Sequence, residues 1–250
     1  MTAPRRRFCL ALALAIVSLL PAEARPQAEP PGAAATALVA GRLDDVTGMP
    51  LYLRLYRAHL PAAAHVAYEG ASMLIYDLSG AATLEFESGP TQPLAAGAGA
   101  FFAPGQGVTI RASTSEPAEL LLFLLTARPN QRRPLLDRPA TIRELFRTPE
   151  PLPGLQDGPY DFSLERLTLP EGEAAGPAYA RSGAALDYVL AGEAAITAEG
   201  KTESIAAETP LFERFGWFHQ LRNAGAAPLV LLQANLSQEG VPPVHLAAGK

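Results

Sequence analysis

Between residues 160 and 238 apolar and polar positions alternate in short blocks: SLERLTL, AALDYVLAGEAAITAE, TESIA, TPLFE, WFHQLRN and PLVLLQANL. Along a strand, residues two apart share a face, so each block reads as one or two strands with an apolar side. Turn residues separate them: PEGEAAGP, EGK, FG and NAGAAP. Short strands at close, even spacing with Gly-rich turns predict an all-β sandwich or barrel.

The pattern occurs twice. IYDLSGAATLEF at 75–86 aligns with DYVLAGEAAITA at 187–198, matching Tyr76 to Tyr188, Leu78 to Leu190, Gly80 to Gly192 and Leu84 to Ile196. Further on, AFFAPGQGVTIRA at 100–112 aligns with LFERFGWFHQLRN at 211–223. Phe101 meets Phe212, Gly105 meets Gly216, Ile110 meets Leu221 and Arg111 meets Arg222. The offset is 112 in the first block and 111 in the second, a single slip between two registers. Two copies of one unit are the expectation.

This gives an organisation: a signal peptide at 1–24, a flexible Pro/Ala-rich leader at 25–39, a first unit at 40–127, a connection at 128–159, a second unit at 160–238 and a tail at 239–250. In the Pro-rich connection, ATIRELF reads as one or two helical turns. Three features mark the N-terminal segment as a signal peptide. Arg5, Arg6 and Arg7 form a basic start, Phe8 to Leu20 is an apolar run ended by Pro21, and Ala22-Glu23-Ala24 is a small-x-small cleavage site. The run is too short to cross a bilayer, so no stable membrane span is expected. RRRF also resembles a twin-arginine signal, leaving the export route open. Export to the periplasm or outside follows, with cleavage near Ala24.

Composition narrows the classes. The chain has 250 residues, 48% hydrophobic and 18% charged, with a formal charge of −5. Cleavage removes three arginines and Glu23 and takes the charge to −7. The two lysines are Lys201 and Lys250, and no basic run follows the N-terminus, so no nucleic-acid partner is expected. The sole cysteine, Cys9, lies in the apolar run of the expected signal peptide, so the mature chain has neither disulfide nor thiolate chemistry.

DYVLAGEAAI resembles the end of the first motif of the cupin superfamily, and GWFHQLRN resembles the second, with Gly216, His219 and Asn223 in place and Arg214 in a proline slot. The resemblance implies two tandem cupin-type, jelly-roll-like β-barrels, a bicupin covering about 40–126 and 160–236. It also implies where a metal would be held: H-x-H, then a glutamate, then a final histidine. Counted back from Gly192, the glutamate slot holds Ala185 and the histidine slots hold Tyr179 and Arg181, or Ala178 and Ala180. In the first copy the glutamate slot holds Met73. Its histidine slots hold Ala67 and Glu69, or Val66 and Tyr68, and the final slot holds Val108. His219 is the one ligand kept, so the metal motifs are degenerate and no cofactor is expected. A divalent metal is the alternative.

Tyr179 and Arg181 are two apart and share a face. His219 and Trp217 approach from another strand. A guanidinium recognises carboxylate or phosphate, and flat rings recognise sugars and aromatics. The favoured reading is non-enzymatic binding of a small anionic or sugar-like molecule by Tyr179, Arg181, Trp217 and His219. Alternatively Arg181 pairs with Asp187 or another acid and His219 is a buried, hydrogen-bonded residue. Other readings stay open. One is an isomerase- or epimerase-type enzyme with His219 as base and Tyr179 as acid, or a metal-dependent dioxygenase type. Another is an interaction protein, with a homodimer through barrel packing. Weak metal candidates are His65 and Glu69, four apart on one strand face, with His59 upstream, and His219. His245 in the tail reads as solvated.

Overall fold

The computed structural model describes residues 34–127 and 135–247, and within them the regular structure is all strand. The expected signal peptide and the start of the leader lie outside the described residues. β1 (Ala34–Leu43) precedes the first unit, β2 (Tyr52–Leu60), β3 (His65–Tyr68), β4 (Ser72–Ser79), β5 (Ala81–Phe86), β6 (Thr91–Ala95), β7 (Gly99–Phe102), β8 (Val108–Ala112) and β9 (Ala118–Thr126). β10 (Thr141–Arg147) lies in the connection. The second unit holds β11 (Tyr160–Leu169), β12 (Tyr179–Arg181), β13 (Ala184–Ala191), β14 (Glu193–Ala198), β15 (Lys201–Ala206), β16 (Pro210–Glu213), β17 (Gln220–Asn223) and β18 (Leu229–Gln238), followed by β19 (Val244–Leu246).

Two five-stranded sheets, β10-β2-β9-β4-β7 and β1-β11-β18-β13-β16, form the middle of the molecule. Behind the first lies β3-β8-β5-β6, and behind the second lie β15-β14-β17 and the pair β12-β19. Apolar side chains fill three spaces: inside the first unit, inside the second, and between the two large sheets. Strand β9 shows why its run AELLLFLLT carries no alternation. Leu120, Leu122 and Leu124 face the first interior, while Leu121, Phe123 and Leu125 face the seam. A strand covered on both faces reads as continuous apolar sequence.

The two units repeat their pairing. Leu84 opposes Ile110 as Ile196 opposes Leu221, and Tyr76 opposes Gly99 as Tyr188 opposes Pro210. The register slip has a location: five residues separate Glu85 from its partner Thr91, and four separate Thr197 from its partner Thr202. Gly80 and Gly192 are both left-handed, at φ 94° and 82°. A Cβ on either would strike the carbonyl oxygen of Pro117 or Pro228. That pair of glycines is a backbone requirement of the repeat.

Two expectations are corrected. The leader was expected to stay flexible to residue 39, but β1 starts at Ala34 and pairs with β11 of the second unit. ATIRELF is not helical: Thr141–Arg147 is β10, hydrogen-bonded along β2. A seven-residue segment is too short to hold a helix by itself, whereas an open sheet edge gives each backbone group a partner. The tail also contributes, since β19 pairs with β12.

Candidate functional site

The site grows from β12. Tyr179 and His219 exchange backbone hydrogen bonds at 2.9 Å in both directions, and the Gly216 N–H donates to the Arg181 carbonyl at 3.1 Å. These bonds fasten the loop Arg214–Phe218 against β12 and turn His219 into the interior. The first unit has the same scaffold: Tyr68 opposes Val108, and the Gly105 N–H donates to the Gly70 carbonyl. Val108, the final-histidine slot of the first copy, thus corresponds in space to His219.

Three of the four expected residues are buried and meet on a fourth group, Glu213. The Tyr179 hydroxyl donates to Glu213 Oε1 at 3.1 Å, and Arg181 Nε donates to Oε2. Arg181 Nη1 donates to Asn235 Oδ1 at 2.9 Å. His219 is 1% exposed. Its Nε2 is 3.3 Å from Glu213 Oε1 but outside hydrogen-bond geometry, and is left without a partner. Its Nδ1 is 2.9 Å from the Trp217 carbonyl, which can only accept, so Nδ1 carries a proton. Trp217 stacks on the imidazole at 4.4 Å between centroids and is half-buried, with the Arg214 guanidinium 5.2 Å from its ring.

Asp187 and Gln233 complete the cluster. Gln233 Nε2 donates to Asp187 Oδ2 at 3.0 Å, and Asp187 Oδ1 has no partner. Burial pushes the Asp187 carboxyl well above the ordinary carboxylate range, and the Glu213 charge adds to that. Burial would push Glu213 the same way, but Arg181 and His219 outweigh it and hold that carboxyl low. The Tyr179 phenol is raised by burial and by Glu213. The cluster therefore sets the Arg181 guanidinium against the Glu213 carboxylate, with the charged form of Asp187 disfavoured.

Sequence reasoning did not find Glu213, Gln233 or Asn235. Ala185, the empty glutamate slot, opposes both Glu213 and Asn235, so the carboxylate comes from the neighbouring strand. The signal was in the repeat. The registers of β4 and β13 equate Phe102 with Glu213, Ile75 with Asp187, Leu122 with Gln233 and Leu124 with Asn235. An apolar interior in one unit is polar in the other.

The residues present do not fit a divalent cation. Glu213 is already neutralised by Arg181, and a second cation beside a buried guanidinium would be repelled without water to screen it. His65 and Glu69 do not join His219. Both are exposed on the first unit, where His65 opposes Arg111 across β3 and β8. His59 lies on another strand, β2, with Nδ1 2.6 Å from Glu119 Oε1. Among the described residues no group of three or more His, Cys, Asp and Glu is placed to hold a metal ion. His245 is exposed on β19.

No protein-family profile matches this chain. No curated protein matches it in sequence. Solved structures do resemble it. AerE from Microcystis aeruginosa is 12% identical with a TM-score of 0.52, over 81% of this chain and 99% of that one. Oxalate decarboxylase from Bacillus subtilis at pH 4.6 is 14% identical with a TM-score of 0.53, over 83% of this chain and 73% of that one. The formate complex of Lactobacillus farciminis oxalate decarboxylase is 12% identical with a TM-score of 0.53, over 77% and 79% of the two chains. At these identities the likeness speaks for the fold alone. The protein has the all-β, jelly-roll-like cupin fold.

Proposed function

We propose that this is an exported bicupin with degenerate metal motifs, whose second barrel binds a small, neutral, polyhydroxylated molecule without catalysis. One observation carries the reading: at matching positions the first interior is Ile75, Phe102, Val108, Leu122 and Leu124, and the second is Asp187, Glu213, His219, Gln233 and Asn235. A barrel of this size packs stably with apolar residues, as the first one does. A buried polar set in its twin costs stability, so a ligand role accounts for it better than packing does.

The cluster's chemistry selects the ligand class. Arg181 is matched by Glu213, so the interior has no spare positive charge for an anion. His219 Nε2, Asp187 Oδ1 and Ser182 Oγ are buried without partners. Each unmade hydrogen bond costs about 1–3 kcal/mol. Hydroxyl groups both donate and accept, so a sugar-like molecule suits His219 Nε2 and Asp187 Oδ1 together. Nε2 of His219 is the imidazole atom left without a partner to meet such a hydroxyl. Trp217, with the exposed Phe215 and Phe218 beside it, forms an aromatic entrance suited to a sugar ring.

The test is a thermal-shift panel of monosaccharides and polyols on the full chain, with Asn235→Leu as the variant, since its twin position is Leu124. At least one neutral sugar should raise the melting temperature of the native protein, and Asn235→Leu should lose most of that rise. No rise across the panel would overturn the ligand class. A response to sugar acids alone would return the choice to an anion held by Arg181.

A further inference from the structure

A cavity lies away from the cluster, at the edge of the seam between the two large sheets. It measures about 380 Å³ and is lined by Arg57 and His59 of β2, Glu119 of β9, and Thr141, Ile142 and Arg143 of β10. That is within the size range of small-molecule sites, at its lower end. The second unit reaches it. Arg57 Nη1 donates to Glu208 Oε1 at 3.2 Å, and the Tyr188 hydroxyl feels Arg57, Arg143 and Glu208.

The charges here are arranged against packing. Arg57 and Arg143 are directly opposed across β2 and β10. Like charges in that position destabilise a sheet. Arg57 is compensated, since its Nε donates to Glu119 Oε2 at 3.1 Å, and the other Glu119 oxygen is taken by His59 at 2.6 Å. Arg143 is exposed and forms no ion pair with the described residues. One cation, Arg143, therefore faces the cavity uncompensated, beside Arg57, which is paired with both Glu119 and Glu208.

The repeat again provides a control. At the matching place on the second unit, Arg166 opposes Thr36 and Leu232, and Thr168 opposes Ala34 and Val230. Arg57 thus has a counterpart in Arg166, but Arg143, His59, Glu119 and Thr141 are replaced by Thr36, Thr168, Val230 and Ala34. The strand pairing does not require a second arginine, a histidine and an acid.

We propose that this seam cavity binds a small oxyanion, a polycarboxylate or a phosphate, held by Arg143, with Thr141 and His59 lining the same cavity. The Arg143 guanidinium offers paired N–H donors, which match the oxygens of a carboxylate or phosphate. The site is separate from the cluster around Glu213 and does not depend on the ligand proposed there.

The test is calorimetric titration of the full chain with citrate and with inorganic phosphate, in native protein, Arg143→Ala and Arg222→Ala. Arg143 is an exposed side chain, so its removal should leave the fold intact. Arg222 is an exposed arginine bonded to the Gly172 carbonyl and makes an equal change in charge. Saturable binding of at least one probe, weakened tenfold or more in Arg143→Ala and unchanged in Arg222→Ala, is the expected result. Citrate alone would assign a polycarboxylate, and phosphate alone a phosphate group. No saturable heat with either probe, a smaller loss, or a loss matched by Arg222→Ala would overturn the proposal.

Discussion

At the scale of single residues, Glu213 holds the second interior together. It is fully buried and accepts from Tyr179 and Arg181. Replacing it by glutamine removes the one charge that matches a buried guanidinium. Glu213→Gln should cost about 3–5 kcal/mol, read from urea unfolding at pH 7. Arg181→Met with Glu213→Leu should be far milder than the sum of the two single changes, because no unpaired charge remains. The pH dependence has a definite sign. Glu213 titrates lower when folded than when unfolded, so its contribution is present above about pH 4.5 and is lost as pH falls through its folded pKa. Tyr179 and Arg181 were singled out by slot counting against a turn glycine, His219 by the second motif and Trp217 by strand alternation. Glu213, Gln233 and Asn235 were not, because inside TPLFE and PLVLLQANL they look like the polar half of an ordinary alternation. Which face of a strand is interior depends on the sheet packed against it, and sequence does not state that.

At the scale of elements, the strands were legible where turns bound them and illegible where a distant partner makes them. The glycines Gly80 and Gly192 marked the repeat because the backbone needs a left-handed residue there. β1 and β10 had no such marks. Each exists by pairing with a strand of its sheet, β11 in one case and β2 in the other. Strand β4 carries a testable anomaly. Asp77 is fully buried, and neither carboxyl oxygen has a side-chain partner, while its counterpart on β13 is Val189. Burial raises its pKa to about 6. The folded state then binds more protons than the unfolded one between about pH 4 and pH 6, so this group's contribution declines as pH rises through that window. Asp77→Val should match the native protein near pH 4 and be more stable by about 1–2 kcal/mol at pH 7, measured by chemical denaturation. A Gly80→Ala change should go the other way, by on the order of 3 kcal/mol, since it adds both strain and a clash.

At the scale of the molecule, the two units share a core. Leu53, Leu55, Leu74, Leu121 and Phe123 of one meet Phe162, Leu164, Leu186, Leu232 and Ala234 of the other. β1 adds to this seam: it is paired in the second sheet, yet a Cβ at Gly41 would strike the ring of Phe101 on β7. Heating should therefore give one transition with equal calorimetric and van't Hoff enthalpies, and Phe123→Ala should lower it by about 3–5 kcal/mol without splitting it. Two separate transitions would mean that the seam is weaker than its burial implies. The seam was hidden in the sequence because β9 is apolar on both faces and shows no period that singles out a partner. Within this shared frame the two interiors differ, and that difference is the basis of the proposed binding function. The chain's single tryptophan, Trp217, stands at the polar interior, so its emission reports on that site alone. The most direct measurement is the titration of Trp217 fluorescence with the neutral sugar that raises the melting temperature most. A saturable change in emission, at the concentrations that stabilise the protein and absent in Asn235→Leu, is expected. Stabilisation with no change in Trp217 emission would place the ligand elsewhere and contradict the assignment of the second interior as the binding site.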